Sequence, residues 1–223
     1  MTQYRGAVDL STLSATPSAP ASGYHRMYPK SDNRLYLEDS AGEEYPVSYP
    51  GGWGPTDFSL AGWTYDPIMI TTGQTPSAGT IYMIGVNVVQ SFTASNVYFV
   101  ITGTLTGSFT AGQTMVGVVD SSGSVLTTAS LTPYTAQGLQ TVPITSTALT
   151  SGMYWLAFLW NGTMSGFQVA RCSTTSVGAM NINRSPNLSR VAVNGTSQTS
   201  ITTRTPANNT NSGAFSIWAA IGL

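Results

Sequence analysis

Hydrophobic and polar residues alternate in short runs along most of the chain, a pattern that is typical of β-strands. Clusters of Gly, Asn, Asp and Ser separate these runs, as turns do. Strands are predicted over 24–30, 34–39, 80–92, 96–105, 115–120, 124–128, 139–144, 152–160, 167–172, 190–193, 200–204 and 214–221. The pattern therefore predicts an all-β protein, with a small N-terminal hairpin or meander followed by a jelly-roll-like β-sandwich.

The first predicted strands form a short meander. Strands 24–30 and 34–39 are joined by Ser31-Asp32-Asn33, and Ser40-Ala41-Gly42 leads into a third strand. Asp and Asn tolerate the backbone angles that tight connections need. A meander of this size buries too little apolar surface to be stable alone. It therefore needs support from the following domain, from other copies of the chain or from a larger particle.

The predicted strand 152–160 is apolar on both faces. Alternation places Tyr154 and Phe158 on one side and Trp155 and Leu159 on the other. A two-layer sandwich normally leaves the outer side of each sheet polar. The outer side is therefore covered either by a neighbouring subunit or by a loop or the N-terminal module of the same chain.

Three turn signals follow predicted strands of the sandwich. Asn161-Gly162 predicts a hairpin after strand 152–160, and Asn194-Gly195 predicts another tight turn. Ser121-Ser122-Gly123 predicts a hairpin in which the carboxylate of Asp120 bonds the backbone of its own turn.

Charge divides the chain into two parts. Charged residues make up 8% of the 223 residues, and the net charge is −1, whereas about 25% is usual. Eight of the nine acidic residues precede residue 67, and residues 46–56 form a stretch rich in Pro and Gly. These shifts predict an extended arm over 1–22, a β-hairpin attachment module over 23–50, a Gly/Pro linker over 51–56 and a sandwich over 57–223.

The composition weighs against several classes of protein. A nearly neutral chain has no basic patch for nucleic acid. The single cysteine excludes an internal disulfide. No apolar run approaches the roughly 20 residues of a membrane helix, and no secretory signal is recognisable. We therefore expect neither a nucleic-acid nor a membrane partner, and a sparsely charged surface favours contact with other subunits.

No group of side chains in the sequence predicts catalysis. His25 is the only histidine, and the sandwich has few carboxylates that could form a glycan-cleaving pair. Cys172 is predicted to be a small buried residue. We expect a protein that is not an enzyme, without catalytic residues, cofactors or metal sites.

Uncharged side chains suggest one kind of binding site. Exposed Trp rings beside amide groups bind sugars through stacking and hydrogen bonds. Two tryptophans lie beside glycines near the linker, and segment 206–213 is rich in asparagine. The candidate glycan contacts are Trp53, Trp63, Asn208, Asn209 and Asn211. An ordinary polar loop is the alternative for the asparagines.

Residues 17–47 carry a motif of specific spacing. Its pattern is P-x-x-P-x-x-G-x-x-R-x-Y-x-K, then a turn and L-Y-x-x-D-x-x-G. The pattern resembles the small β-module near the N-terminus of minor tail and virion-surface proteins of tailed bacteriophages, especially phages of actinobacteria. The motif begins with Pro17 and Pro20. The resemblance implies attachment to the particle through Gly23, Tyr24, Arg26, Tyr28, Lys30, Leu35, Tyr36, Asp39 and Gly42.

Residues 110–126 and 152–162 look like the C-terminal β-domain of the same class of phage proteins. The two resemblances imply a homotrimeric virion protein, made in the host cytoplasm, whose N-terminal part binds other tail or capsid proteins while the sandwich projects outward. One alternative is a minor tail or fibre protein that binds host cell-surface polysaccharide. Another is a capsid decoration or head-fibre protein, and a third is a free-standing carbohydrate-binding module.

Overall fold

The computed structural model describes residues 10–31, 35–46, 54–89, 91–172, 181, 189–210 and 214–223. The chain divides into two compact units, Met1–Gly54 and Pro55–Leu223. Strands dominate both units, and the helical segments of the described ranges are short 3₁₀ turns, such as Pro55–Phe58, Pro67–Met69 and Pro206–Asn208. The predicted all-β fold is therefore confirmed.

The N-terminal unit contains a three-stranded antiparallel meander. Its strands are β1 (Arg26–Pro29), β2 (Leu35–Glu38) and β3 (Glu44–Pro46), in the order β1-β2-β3. Strand β2 lies in the centre, so that Tyr28 of β1 is directly opposite Tyr36. The predicted turn at 31–33 lies largely outside the described residues.

The second unit contains two main sheets, each of which includes strands that are distant in sequence. Its strands are β4 (Leu60–Trp63), β5 (Thr72–Gln74), β6 (Ile81–Val88), β7 (Phe92–Gly103), β8 (Ser108–Phe109), β9 (Met115–Val119), β10 (Val125–Ser130), β11 (Gly138–Leu149), β12 (Gly152–Leu159), β13 (Gly162–Thr163), β14 (Gln168–Arg171), β15 (Val191–Val193) and β16 (Ala219–Gly222). A five-stranded sheet has the order β10-β9-β12-β6-β15. A six-stranded sheet has the order β4-β16-β7-β14-β5, with β11 also paired to β7.

One hydrophobic core joins the two main sheets. Ile84 and Leu156 of the five-stranded sheet belong to the same buried cluster as Phe99, Val169 and Ile221 of the six-stranded sheet. Rings of Phe99 and Phe158 meet edge to face, with centroids 5.6 Å apart, as aromatic quadrupoles favour. Apolar side chains between two facing sheets are the defining feature of the predicted β-sandwich.

The outer face of the five-stranded sheet is covered by the chain itself. Trp155, Ala157 and Leu159 form a second buried cluster with Ile201, which belongs to a segment over residues 194–205 that we call the strap. The sequence left a subunit contact and a covering loop as alternatives for this face, and the covering segment is the one observed. Double-sided apolarity in β12 therefore gives no sign of an oligomer contact.

Backbone hydrogen bonds hold the strap at both ends. The amide of Gln198 donates to the carbonyl of Gly79 (2.8 Å), just before β6, and the amide of Arg204 donates to the carbonyl of Gly123 (2.8 Å), between β9 and β10. Ile201 lies between these anchors. The strap therefore runs diagonally over the sheet, and the strand predicted over 200–204 is wrong because this segment bonds at its ends instead of pairing along its length.

Other local predictions need correction. The single strand predicted over 80–92 is in fact two strands, because β6 ends at Val88 and β7 begins at Phe92. Pro143 does not end β11, because a register shift between Pro143 and Thr147 lets the strand continue to Leu149, as bulges do. Asn161-Gly162 does not form a hairpin, since β13 pairs with β8 and the side-chain amide of Asn161 donates to the carbonyls of Gln113 and Gln198.

Candidate functional site

One face of the N-terminal meander carries polar and aromatic side chains. Alternation along the three strands places Arg26, Tyr28, Tyr36, Glu38 and Glu44 on this face. Lys30 joins them through its contact with Glu44, and we call these six residues the charged face. The Tyr28 and Tyr36 rings stack with centroids 6.3 Å apart, and the Lys30 ammonium lies 4.7 Å from the centroid of the Tyr36 ring. The face is therefore an ordered array in which aromatic rings support charged groups.

Glu44 is the hub of this charged face. Its carboxylate accepts hydrogen bonds from Lys30 Nζ at 2.9 and 2.7 Å, from the Tyr28 hydroxyl and from the Thr16 hydroxyl at 3.0 Å. Four donated bonds nearly exhaust the acceptor capacity of a carboxylate. The hub therefore joins β1, β3 and the preceding segment through one side chain.

The pKa values of the hub follow from these contacts. Hydrogen bonds from Lys30 and then Tyr28 lower the pKa of Glu44 below its ordinary range, since both stabilise the ionised carboxylate. Burial, followed by the hydrogen bond to Glu44, raises the pKa of Tyr28 to about 12. At neutral pH, Glu44 is therefore ionised and the Tyr28 hydroxyl is protonated. The contribution of Glu44 to stability is present above its unfolded pKa and is lost as the pH falls through its lower folded pKa.

The segment before the meander is partly tied to it. Leu13 forms an isolated parallel bridge with Lys30, and the Arg26 guanidinium donates to the carbonyl of Ser18. The bonds that reach Thr16 lie between these two points. The described part of the predicted arm therefore runs along the charged face of the meander.

The opposite face of the meander is apolar. Met27, Pro29, Leu35 and Leu37 alternate with the charged-face residues and are paired across β1 and β2; we call them the apolar face. Met27 is 53% exposed. Among the described residues of this unit, Tyr28 is the one buried hydrophobic side chain. The unit therefore has a hydrogen-bonded hub but hardly any hydrophobic core.

Other residues of the spaced motif in residues 17–47 form the ends of the meander. Gly23 and Gly42 have φ values of 83° and 82°, which favour glycine. Asp39 accepts from the amides of Ala41 (2.9 Å) and Glu43 (3.0 Å), so it shapes the β2–β3 turn. Tyr24 is 69% exposed and precedes β1. The motif thus places some residues in the turns and others on both faces of the sheet.

Of the residues predicted to contact a glycan, the three that the structure describes, Trp63, Asn208 and Asn209, are not brought together. Trp53 and Asn211 lie outside the described residues. Asn209 is buried and its side-chain oxygen accepts from Asn194 at 2.8 Å, which gives it a structural role. Asn208 is exposed in the same loop, which pairs with β15 of the five-stranded sheet through Thr210. Trp63 lies on the six-stranded sheet.

Trp63 belongs to a row of side chains on the outer face of the six-stranded sheet. Trp63 and Tyr98 are each directly opposite Ala220, from its two sides. Directly opposed residues share a face, so the two rings lie on either side of a small residue. Phe58 packs on Trp63 with centroids 5.8 Å apart. The hydroxyl of Tyr98 donates to the carbonyl of Leu223, which fixes the orientation of its ring.

The row continues onto β11. Leu139 is opposite Val100, and Thr141 is opposite Tyr98. Leu139 is 62% exposed and Phe58 52% exposed, while Trp63 and Tyr98 are partly exposed. We call Phe58, Trp63, Tyr98 and Leu139 the aromatic strip. Sequence reasoning did not single out Tyr98 or Leu139, because alternation marks their faces but not which distant strands stand beside them.

The remaining candidates have structural or surface positions. His25 is exposed. Asp120 accepts from the amides of Ser122 (2.8 Å) and Ser124 (2.9 Å). Desolvation raises its pKa, but these hydrogen bonds outweigh it and lower the pKa overall. The turn role predicted for Asp120 is confirmed. Cys172 is only partly buried, and its Sγ lies 2.9 Å from the hydroxyl of Ser216.

No family model, curated protein or solved structure matches this chain. Within the described ranges, three or more His, Cys, Asp or Glu side chains do not come together in a way that could hold a metal ion. Nor do those ranges contain a helix with the length and apolarity needed to cross a membrane.

Proposed function

We propose that this chain is a non-enzymatic structural protein on the surface of a tailed-phage virion. The N-terminal unit anchors it to the particle, and the sandwich projects outward as a minor tail or fibre protein that attaches to host-surface glycan. The support is the family motif together with the physical character of the N-terminal unit, whose described part has one buried hydrophobic side chain.

A unit of this kind needs a partner surface. Three short strands around a single buried tyrosine bury far less apolar area than an independent domain requires. The apolar face, with Met27 more than half exposed, supplies the missing contact if it lies against another protein. The charged face is already occupied by the segment from Leu13 to Ser18. We therefore assign the apolar face as the surface that binds the particle.

A capsid decoration or head-fibre protein is the second candidate. The observation that favours it is the course of residues 13–18 along the meander: Leu13 pairs with its backbone, and Thr16 and Ser18 bond its side chains. Extended arms of this kind tie neighbouring subunits together when they continue onto a second copy. A homotrimer remains our proposal by analogy with phage fibres, and sedimentation equilibrium of the purified chain tests it.

Substitution on the apolar face tests the anchor. Met27→Asp adds a charge at a position that is exposed in the free protein and would be buried by binding to the particle. We therefore expect the full-length protein to remain folded and its copy number per particle to fall at least tenfold. Leu126→Asp is the matched control, because Leu126 is 40% exposed on the sandwich. Normal incorporation of the Met27→Asp protein into particles would contradict the assignment.

Co-sedimentation separates the two placements. Full-length protein is incubated with host cell envelopes or with capsids that lack it. Saturable binding to envelopes, removed by soluble wall polysaccharide, would support a tail adhesin. Binding to capsids alone would support decoration. Binding to neither would count against a virion role.

A further inference from the structure

The aromatic strip lies across strands that carry no charged side chain, although the exposed carboxylate of Asp57 directly precedes Phe58. None of the strands β4, β7, β11 and β16 contains a Lys, Arg, Asp or Glu residue. The segment after β4 covers part of this outer face, where Tyr65 and Ile70 pack against the buried cluster that contains Trp218 and the indole of Trp218 donates to the carbonyl of Tyr65 (3.0 Å). Outside that part, Phe58 and Leu139 remain more than half exposed. The strip is therefore an open surface on uncharged strands, with one carboxylate, Asp57, in the segment that ends at Phe58.

We propose that the aromatic strip binds an uncharged linear polysaccharide, with sugar rings stacked on Trp63 and Tyr98. This inference rests on the proposed function, since it identifies the site and the class of glycan through which the sandwich would contact the host. The chain would cross β4, β16 and β7 from Phe58 towards Leu139.

The spacing of the two rings suits such a ligand. Trp63 and Tyr98 flank Ala220 across one strand, so they are two strand intervals apart, roughly 10 Å. That distance is about the length of a disaccharide. Ala220 between them is small enough to leave the surface flat. Two rings in line therefore favour an extended chain over a single sugar.

The polar side chains beside Tyr98 are a hydroxyl and an amide. Thr141 is exposed directly opposite Tyr98, and Asn96 lies two residues before Tyr98 on the same face. These groups donate and accept hydrogen bonds without charge, as sugar hydroxyls require. The hydroxyl of Tyr98 is engaged by Leu223, so its contribution to a ligand is the ring.

The exposed area of the strip argues against a second protein chain as its occupant. Side chains of this size bury at most about 250 Å² each, and the four of the strip are between partly and about three-fifths exposed. Together they offer at most roughly 400 Å², about half of what one partner contributes to a stable protein interface. The area suffices for a few sugar rings.

Native electrophoresis of the full-length protein tests the proposal. The gels contain hydroxyethyl cellulose, dextran, mannan or arabinogalactan, which are neutral, or dextran sulfate, which is charged. We expect retardation by at least one neutral polymer and none by dextran sulfate. Trp63→Ala and Tyr98→Ala should each weaken binding about tenfold. Tyr98→Phe, which keeps the ring, should bind like the parent, as should the control Leu126→Ala.

Thermal unfolding of each variant separates a lost site from a lost fold, and Tyr98→Phe keeps the test informative if Tyr98→Ala is unstable. The proposal is overturned if no neutral polymer retards the protein or if folded Trp63→Ala binds as tightly as the parent. It is also overturned if sedimentation shows that Trp63→Ala dissociates an oligomer, because the strip would then be a subunit interface.

Assembly of particles distinguishes this inference from the proposed function. Particles that carry Trp63→Ala should contain the normal amount of protein and lose binding to host envelopes. Normal amounts together with normal envelope binding would refute the site while leaving the virion role intact. A parent protein that never enters particles would refute the virion role, whatever the sugar assay shows.

Discussion

The outer faces of the two sheets of the sandwich are both apolar, yet only one is closed by the chain itself. Over the five-stranded sheet, Trp155 is fully buried in a cluster that includes Ile201 of the strap. Over the six-stranded sheet, the segment after β4 covers Trp218 but leaves Trp63 and Tyr98 partly exposed. An apolar outer face is thus explained by internal packing in one sheet, and only the other retains a surface that is available for binding.

The largest expected difference between the faces comes from one substitution made on each. Trp155→Ala removes a fully buried ring and its hydrogen bond to the carbonyl of Ser189 (2.9 Å), so we expect a loss of about 3–5 kcal/mol in the free energy of unfolding. Trp63→Ala should cost about 1 kcal/mol, since its ring is partly solvated. Urea unfolding of full-length protein measures both. Equal losses would mean that the two faces are packed alike.

A pair of glycines tests whether the strap holds its face closed. An added Cβ at Gly123, whose φ is +92°, would lie 2.1 Å from the carbonyl oxygen of Arg204 in the strap, whereas at Gly112, with φ +71°, it meets nothing within 4 Å. Both alanine variants bear the cost of a left-handed residue, about 1–2 kcal/mol. Gly123→Ala must also displace the strap, and we expect roughly 2 kcal/mol more.

The readout for this pair is urea unfolding together with Trp fluorescence. Ile201 of the strap shares a buried cluster with Trp155, so displacement of the strap should expose that cluster and shift the emission of Gly123→Ala to longer wavelength, while Gly112→Ala should emit like the parent. If the two variants are equally stable and emit alike, the strap is not what buries Trp155.

The contrast between the two faces was only partly accessible from sequence. Alternation in 152–160 identified an apolar outer face, and the hairpin around Asp120 was predicted correctly because its turn is local. The covering segment was missed, since Ile201 meets Gly117 across a sequence separation that no periodicity records. Tyr98 was missed as a neighbour of Trp63 for the same reason, because the strand between them is at the C-terminus. Turns and the alternation of apolar side chains can be predicted from the sequence, whereas the pairing of distant strands cannot.

Acid should affect the strapped face through its anchoring turn. The pKa of Asp120 is lowered overall, so its stabilising contribution is present above the unfolded value, near 3.9, and is lost as the pH falls through the lower folded pKa. Asp120→Asn retains one acceptor oxygen and should cost under about 1 kcal/mol at pH 7. It should also reduce the difference in stability between pH 7 and pH 3. Unfolding of the parent and the variant at the two pH values checks this. An unchanged difference would show that Asp120 does not contribute to the acid sensitivity of stability.

The smallest effect is expected on the open face itself. Leu139 is 62% exposed, and Leu139→Thr should change the free energy of unfolding by less than about 0.5 kcal/mol, because the side chain is already solvated. Ile201→Thr is the matched change under the strap, where Ile201 is 6% exposed, and it should cost at least about 2 kcal/mol. A large loss for Leu139→Thr would show that the chain uses the aromatic strip for its own stability. The strip would then be a second closed face, and the reason to assign it to an external ligand would disappear.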